Sequence, residues 1–484
     1  MNPTSIIRNK IFIYLATRYL TYGLQFVLSL VAAVRLGPYY LGVYGLVLLI
    51  ISYFEQINFG IPHSLNVLLV HNKNDALRQE QYTLNSLAIF TAINVVSIIT
   101  AFFLLAMGEI KWGDYKIDNF LLIIVFTTVC IYYNSVLTMV VRFRNRVNTL
   151  SIIGTIPVLF NFLVVFLFSE EALVYALLIS TLVSYALTLI IFYYVNAFPK
   201  ISIHSLSVAC QKILINKGLY LFLYNSCFYF ILIGVRTLIS SNYSVEEFGY
   251  FTFSFTLANA VLLLLGSLNT IIFPKTLDMM SCNDVDQKKE ALRKLRVGYI
   301  TSANLLIFLA MTCFPLVTML FPKYEAALTS MNLIALAVLM NTHSYGYTSL
   351  LIAQNKEKLT SFISLSALLL SLILGCLLVY IVNVEFSYVV LSVMGGYLLF
   401  SFLSYYYGNK ELFGCASMKD TLCHFFPTRY SIPYIIALII SVWQFEVLIW
   451  IPLVVFLILN FKDFSYLVSL VKKLVNNPNV IDIK

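Results

Sequence analysis

Charged side chains are scarce in this chain: 11% of its residues are Asp, Glu, Lys or Arg, against 60% hydrophobic. A soluble globular domain is about a quarter charged and about half apolar, so water is excluded as the solvent for most of these side chains. Cysteine is also uninformative as a staple. Cys130, Cys227, Cys313 and Cys376 fall in apolar runs, and Cys210, Cys282, Cys415 and Cys423 fall in loops on the basic side. None is expected on the opposite side, so no disulfide framework is expected. Cys415 and Cys423 are too far apart for a CxxC pair and have no partner pair, which argues against zinc. Paired carboxylates and His/Cys clusters are missing, and the loops on the acidic side are short. A membrane-embedded polymerase or glycosyltransferase needs such groups, so an enzyme, a metal and a bound cofactor are not expected.

What the chain has is a succession of apolar runs from Ile11 to Phe461 whose junctions alternate in charge. Basic clusters mark the even junctions: Arg142-Arg144-Arg146, Lys200 to Lys217, Lys275 to Arg296, Lys356-Lys358 and Lys410 to Arg429. Acids mark the odd ones: Glu109-Asp114-Asp118, Glu170-Glu171, Glu246-Glu247 and Glu385. Lys and Arg resist translocation, so the basic side is expected in the cytoplasm, with both termini there. This asymmetry accounts for the net charge of +9 without nucleic acid as a partner.

Crossing the hydrocarbon takes about 20 apolar residues as a helix. Spans are expected near 11–34, 41–69, 84–107, 119–141, 149–168, 173–196, 217–240, 248–273, 297–320, 328–352, 359–382 and 386–407. The run 430–461 is too long for one helix and tight for two, with Gln444 and Glu446 at the possible turn. A basic tail on the cytoplasmic side demands an even number of crossings, which favours two short helices there. A shift of 207 positions aligns Asn9-Lys10 with Asn216-Lys217, Tyr22 with Tyr229 and Gly42 with Gly249, and LGPYYLGVYGL with YSVEEFGYFTF. The expected fold is therefore an all-α polytopic membrane protein of 12–14 transmembrane helices, in two pseudo-symmetric six-helix lobes around a central cavity. The expected divisions are an N-terminal lobe over 1–207, a C-terminal lobe over 208–410, and a loop, extra helix pair and polar tail over 411–484.

Polar groups inside spans are the candidate site. Arg18, Tyr22, Gln25 and Ser29 recur at helical spacing and share one face. The 207-residue shift carries them to Asn225, Tyr229, Leu232 and Arg236. Two guanidiniums on leading helices suit a diphosphate, whose oxygens Arg binds in bidentate fashion; snorkelling to the interface is the structural alternative. Lys217 opens the seventh span, where it either meets an anionic head group or serves as a positive flank. Glu55, in YFEQINFGIP, is the carboxylate well inside a span, a position suited to proton coupling or to an ion pair with Arg18. His343, in NTHSYGYTSLL, is either a second titratable group for coupling or a packed core residue.

The order of motifs resembles the polysaccharide-export flippases: RLGPYYLGVYGL after the first span, INFGIP breaking the second, SVEEFGYFTFSF before the eighth, then IIFPKTLDMM, LFPKYEAAL and LLIAQNKEKL. The chain is similar to their O-antigen branch, in the superfamily that also holds multidrug exporters and the lipid II flippase. The resemblance runs from Arg8 to Tyr407. It implies movement of an undecaprenyl-diphosphate-linked O-antigen oligosaccharide from the cytoplasmic to the periplasmic leaflet of a bacterial inner membrane, for lipopolysaccharide biosynthesis. It also implies alternating access, a cavity lined by cations at Arg18, Arg236 and Lys217, and periplasmic polymerase or chain-length machinery as partners. A small-molecule exporter of the same fold is the rival reading.

Overall fold

The structure is a computed structural model and describes residues 10–108, 115, 117–200, 205–258, 285–414 and 417–463. The motif IIFPKTLDMM, most of the eighth span and the polar tail after 463 lie outside them. Among the described residues the chain is helical, and nine helices are long and apolar enough to cross a membrane. The protein is an all-α, multi-pass membrane protein.

The backbone clusters into two compact units: residues 1–226 with 239–253, and residues 227–238 with 254–484. In the first unit α1 (Lys10–Gln56) joins the two leading spans as one 47-residue helix kinked at Gly37, whose φ of 69° is followed by Pro38. The helix stops after Gln56. Phe59 and Gly60 both take positive φ, Asn58 caps the break with its side chain, and α2 (Ile61–His71) restarts with Pro62 in its first turn. Pro is tolerated there because first-turn N–H groups have no intrahelical acceptor. The interruption read from INFGIP is therefore present. Next come α3 (Ala76–Met107), α4 (Leu121–Phe143), α5 (Val147–Val164), α6 (Glu170–Tyr194) and α7 (Val208–Asn242).

Within this unit Gly42 and Gly249, which the 207-residue shift aligns, each meet another backbone. A Cβ on Gly42 would fall 2.1 Å from the carbonyl oxygen of Val245, and one on Gly249 would fall 1.9 Å from that of Pro38. The same 207-residue offset relates Gly42 to Gly249 and Pro38 to Val245. Each glycine thus admits the backbone that is the repeat equivalent of its own neighbour, the reciprocal pattern that two-fold contacts generate.

The second unit is built on α8 (Val285–Leu320), α9 (Leu328–Thr342), α10 (Tyr347–Ala353), α11 (Glu357–Cys376), α12 (Leu391–Phe413), α13 (Met418–His424), α14 (Thr428–Val442) and α15 (Ile451–Leu459). Every residue from Met331 to Met340 is buried, as expected of a helix that is apolar all round. Here the structure departs from the expected single span over 328–352: the helix breaks at 343–346, where Gly346 has φ 85°. The break frees carbonyls at the end of α9, and Arg296 Nη1 donates to those of His343 (2.7 Å) and Tyr345 (2.9 Å). The apolar run after 430 forms the two short helices α14 and α15, turning at Gln444 (φ 58°).

Candidate functional site

In the first unit, Arg18 lies half-buried on α1 with its guanidinium against Gly154 of α5. One turn further, Thr21 and Thr155 are joined by a 3.0 Å hydroxyl hydrogen bond. A glycine opposite the arginine leaves room for the guanidinium to lie across the neighbouring helix within the membrane-spanning length. Tyr22 is half-buried, and Gln25, Lys217 and Asn225 are exposed.

Glu55 stands one residue before the end of α1, where its own carbonyl accepts from Asn58 Nδ2 at 2.7 Å. The preceding carbonyl, of Phe54, accepts from the Tyr132 hydroxyl of α4, whose ring stacks on Phe90 at 4.8 Å between centroids. Among the described residues Glu55 enters no salt bridge, and Arg18 packs on α5 instead of pairing with it. Behind this site, Asn134 Nδ2 donates to the carbonyls of Cys130 (2.8 Å) and Tyr185 (3.1 Å), and Thr188 donates its hydroxyl to Asn134 Oδ1. The end of α1 is thus tied to α4 through Tyr132, and α4 is tied to α6 through Asn134.

In the second unit, Tyr229 is exposed, whereas Arg236 is only 5% exposed, with its guanidinium carbon 4.6 Å from the centre of the Phe255 ring. Stacking on an aromatic face is how a guanidinium tolerates a weakly polar site. His343 is buried at the break after α9, its ring against Phe426 (4.4 Å) and Tyr430 (6.1 Å). Neither ring nitrogen has a hydrogen-bond partner among the described residues. His343 contributes its carbonyl to Arg296, and its ring packs among aromatics.

Arg296 is the residue that sequence reasoning passed over. The sequence places it only at the end of the basic cluster Lys275 to Arg296, yet it organises the break after α9. The signal was available: Lys289, Arg293 and Arg296 recur at intervals of four and three, one face of a helix.

Among solved structures, the chain resembles the lipid II flippase MurJ in its inward closed conformation, with TM-score 0.67 and 14% identity over 94% of this chain and 98% of that one. It also resembles a multidrug resistance MATE family transporter of the MOP superfamily, inward-facing (TM-score 0.64, 12% identity, 86% of this chain and 100% of that one) and outward-facing (0.60, 13%, 87% and 99%). Neither a family model nor a curated protein matches the chain. The likeness establishes a shared fold.

Proposed function

We propose that this protein is a flippase that carries a lipid-linked oligosaccharide with a diphosphate head, of the O-antigen precursor class, from the cytoplasmic to the periplasmic leaflet by alternating access. The observation that carries the reading is the extent of the structural likeness: the MurJ fold accounts for 94% of this chain, the MATE fold for 86–87%. Motif order, from RLGPYYLGVYGL to LLIAQNKEKL, supports the same branch.

In this reading Arg18 receives the diphosphate from the cytoplasmic side, and Arg236 holds it later in the cycle, with Tyr22, Gln25, Asn225, Tyr229 and Lys217 lining the route. The prenyl chain stays in lipid. Moving negative charge outward across an inside-negative membrane is favoured by about 2.3 kcal/mol per charge per 100 mV, so the potential drives the step. Glu55, beside a helix break, is the group that couples the cycle to protons.

The test is complementation of a strain lacking the protein. Wild type restores surface polysaccharide, and Arg18→Ala does not, although it reaches the membrane in normal amount; the lipid-linked precursor then accumulates in the cytoplasmic leaflet. Normal surface polysaccharide with Arg18→Ala refutes the role of Arg18. A second reading, a small-molecule exporter, draws on the MATE likeness. It predicts that the deletion strain gains drug sensitivity while retaining its surface polysaccharide.

A further inference from the structure

The second unit contains a cavity of about 360 Å³ that has no part in the transport route proposed above. This falls within the size range of small-ligand sites. Its walls come from the start of α8 (Lys289, Arg293, Arg296), the end of α12, the end of α13 (His424) and the start of α14 (Arg429). Among the described residues no carboxylate lines it. Three tyrosines and a phenylalanine do: Tyr347, Tyr405, Tyr430 and Phe413.

The cations are held differently. Arg296 lies between aromatic faces, its guanidinium carbon 4.5 Å from the Tyr347 ring centre and 5.5 Å from that of Tyr405. Among the described residues both of its backbone hydrogen bonds start from Nη1, and a guanidinium has five N–H donors in a fixed fork, which leaves further donors for a ligand. Arg429 is paired with Asp463. Lys289 has a 3.4 Å contact with the highly exposed Asp286, a kind of pair worth little in water. Among the described residues neither Arg293 nor Arg296 has a carboxylate partner.

Depth decides what such a cluster meets. By length and apolar composition, the stretch of α8 able to cross a membrane runs from Leu295 to Leu320. At 1.5 Å per residue, Lys289 lies about 9 Å beyond Leu295, Arg293 about 3 Å beyond it, and Arg296 within the first turn. The polar zone of a bilayer is about 5–8 Å thick on each side, so Arg293 and Arg296 occupy head-group depth and Lys289 lies just outside it. The rim is apolar and outward-facing as well: Phe413, Met418 and Leu422 are exposed, the last two on α13, which ends at the pocket-lining His424. A free anion has no use for that rim; a lipid does.

We infer that this pocket binds the phosphate of an anionic phospholipid of the surrounding bilayer, with Arg296 and Arg293 on the phosphate oxygens and the acyl chains over Phe413 and α13. The inference does not depend on the identity of the transported substrate.

The experiment measures lipid binding to the full chain purified in detergent, with phosphatidylglycerol, phosphatidylcholine and inorganic phosphate as probes. Wild type binds phosphatidylglycerol in preference to phosphatidylcholine. Lys289→Gln/Arg293→Gln weakens that binding roughly 30-fold, the equivalent of about 1 kcal/mol per charge at a membrane surface. Lys356→Gln/Lys358→Gln, the same loss of charge elsewhere on the basic side, keeps wild-type affinity. Phosphatidylglycerol binding that survives the 289/293 pair unchanged overturns the inference, as does equal binding of phosphatidylcholine. Displacement of the lipid by millimolar inorganic phosphate makes this a free-anion site and overturns the lipid assignment. Should the double variant not fold, Arg293→Gln alone, at an exposed position, carries the test with a loss of about fivefold.

Discussion

Thr188 shows how a single hydroxyl contributes inside this membrane protein. It is fully buried, donates to Asn134 Oδ1, and lies 2.7 Å from the carbonyl of Tyr185. Thr188→Val preserves the shape and removes the donor. In hydrocarbon an interhelical hydrogen bond is worth about 0.6 to 1.7 kcal/mol, less than its burial suggests, because the unfolded chain in the membrane finds other partners. The variant is expected to lose about 1 kcal/mol, seen as a lower unfolding temperature in detergent; an unchanged temperature means the bond contributes nothing. The candidate residues divide at this scale. The shared face of Arg18 and Tyr22 was legible from spacing alone, because helical periodicity is a property of the chain. Gly154 as the seat of Arg18, and Phe255 as that of Arg236, were not, since each comes from a segment distant in sequence.

Two elements in the first unit owe their approach to glycine. At Gly42 and Gly249 an added methyl meets a carbonyl oxygen of another backbone, not the end of a flexible side chain. Overpacking of this kind costs about 1–3 kcal/mol. Gly42→Ala and Gly249→Ala are each expected to lower stability by that amount. Because one separation of the helices relieves both clashes, the double variant loses less than the sum, by about 1 kcal/mol, measurable as a double-mutant cycle of thermal or denaturant unfolding. Strict additivity would show that the two contacts yield independently. Gly23→Ala is the control: nothing lies within 4 Å of its Cβ position, and alanine is the better helix former by up to about 1 kcal/mol. Element boundaries followed the sequence where glycine, proline and asparagine punctuate it, as at Asn58–Gly60, and at the polar Gln444 within the apolar run 430–461. They departed from it at 343–346, where the single span expected over 328–352 is interrupted by a helix break capped by Arg296.

For the whole molecule, the testable statement is orientation. The alternation of basic and acidic junctions predicts that Asn148, beside Arg142-Arg144-Arg146, faces the cytoplasm, and Glu246 the opposite side. Asn148→Cys and Glu246→Cys, each in a background lacking the native cysteines, separate the two sides. A membrane-impermeant thiol reagent added to intact spheroplasts is expected to label position 246, and position 148 only after permeabilisation. The reverse pattern inverts the protein and with it the direction of the proposed transport. Orientation also sets the sign of the driving force, since outward movement of an anion is downhill only across an inside-negative membrane.

Sequence by itself determined that the chain lives in a bilayer, roughly where it crosses and which side is basic. These follow from hydropathy, charge and spacing, which act locally and survive without long-range contacts. Only the tertiary structure decided that the repeat equivalents Gly42 and Gly249 interlock, that Glu55 stands apart from Arg18, and that Arg296 fastens a broken helix beside a cationic pocket. Those outcomes depend on which distant segments pack together. Among so many interchangeable apolar side chains, no local pattern encodes that choice.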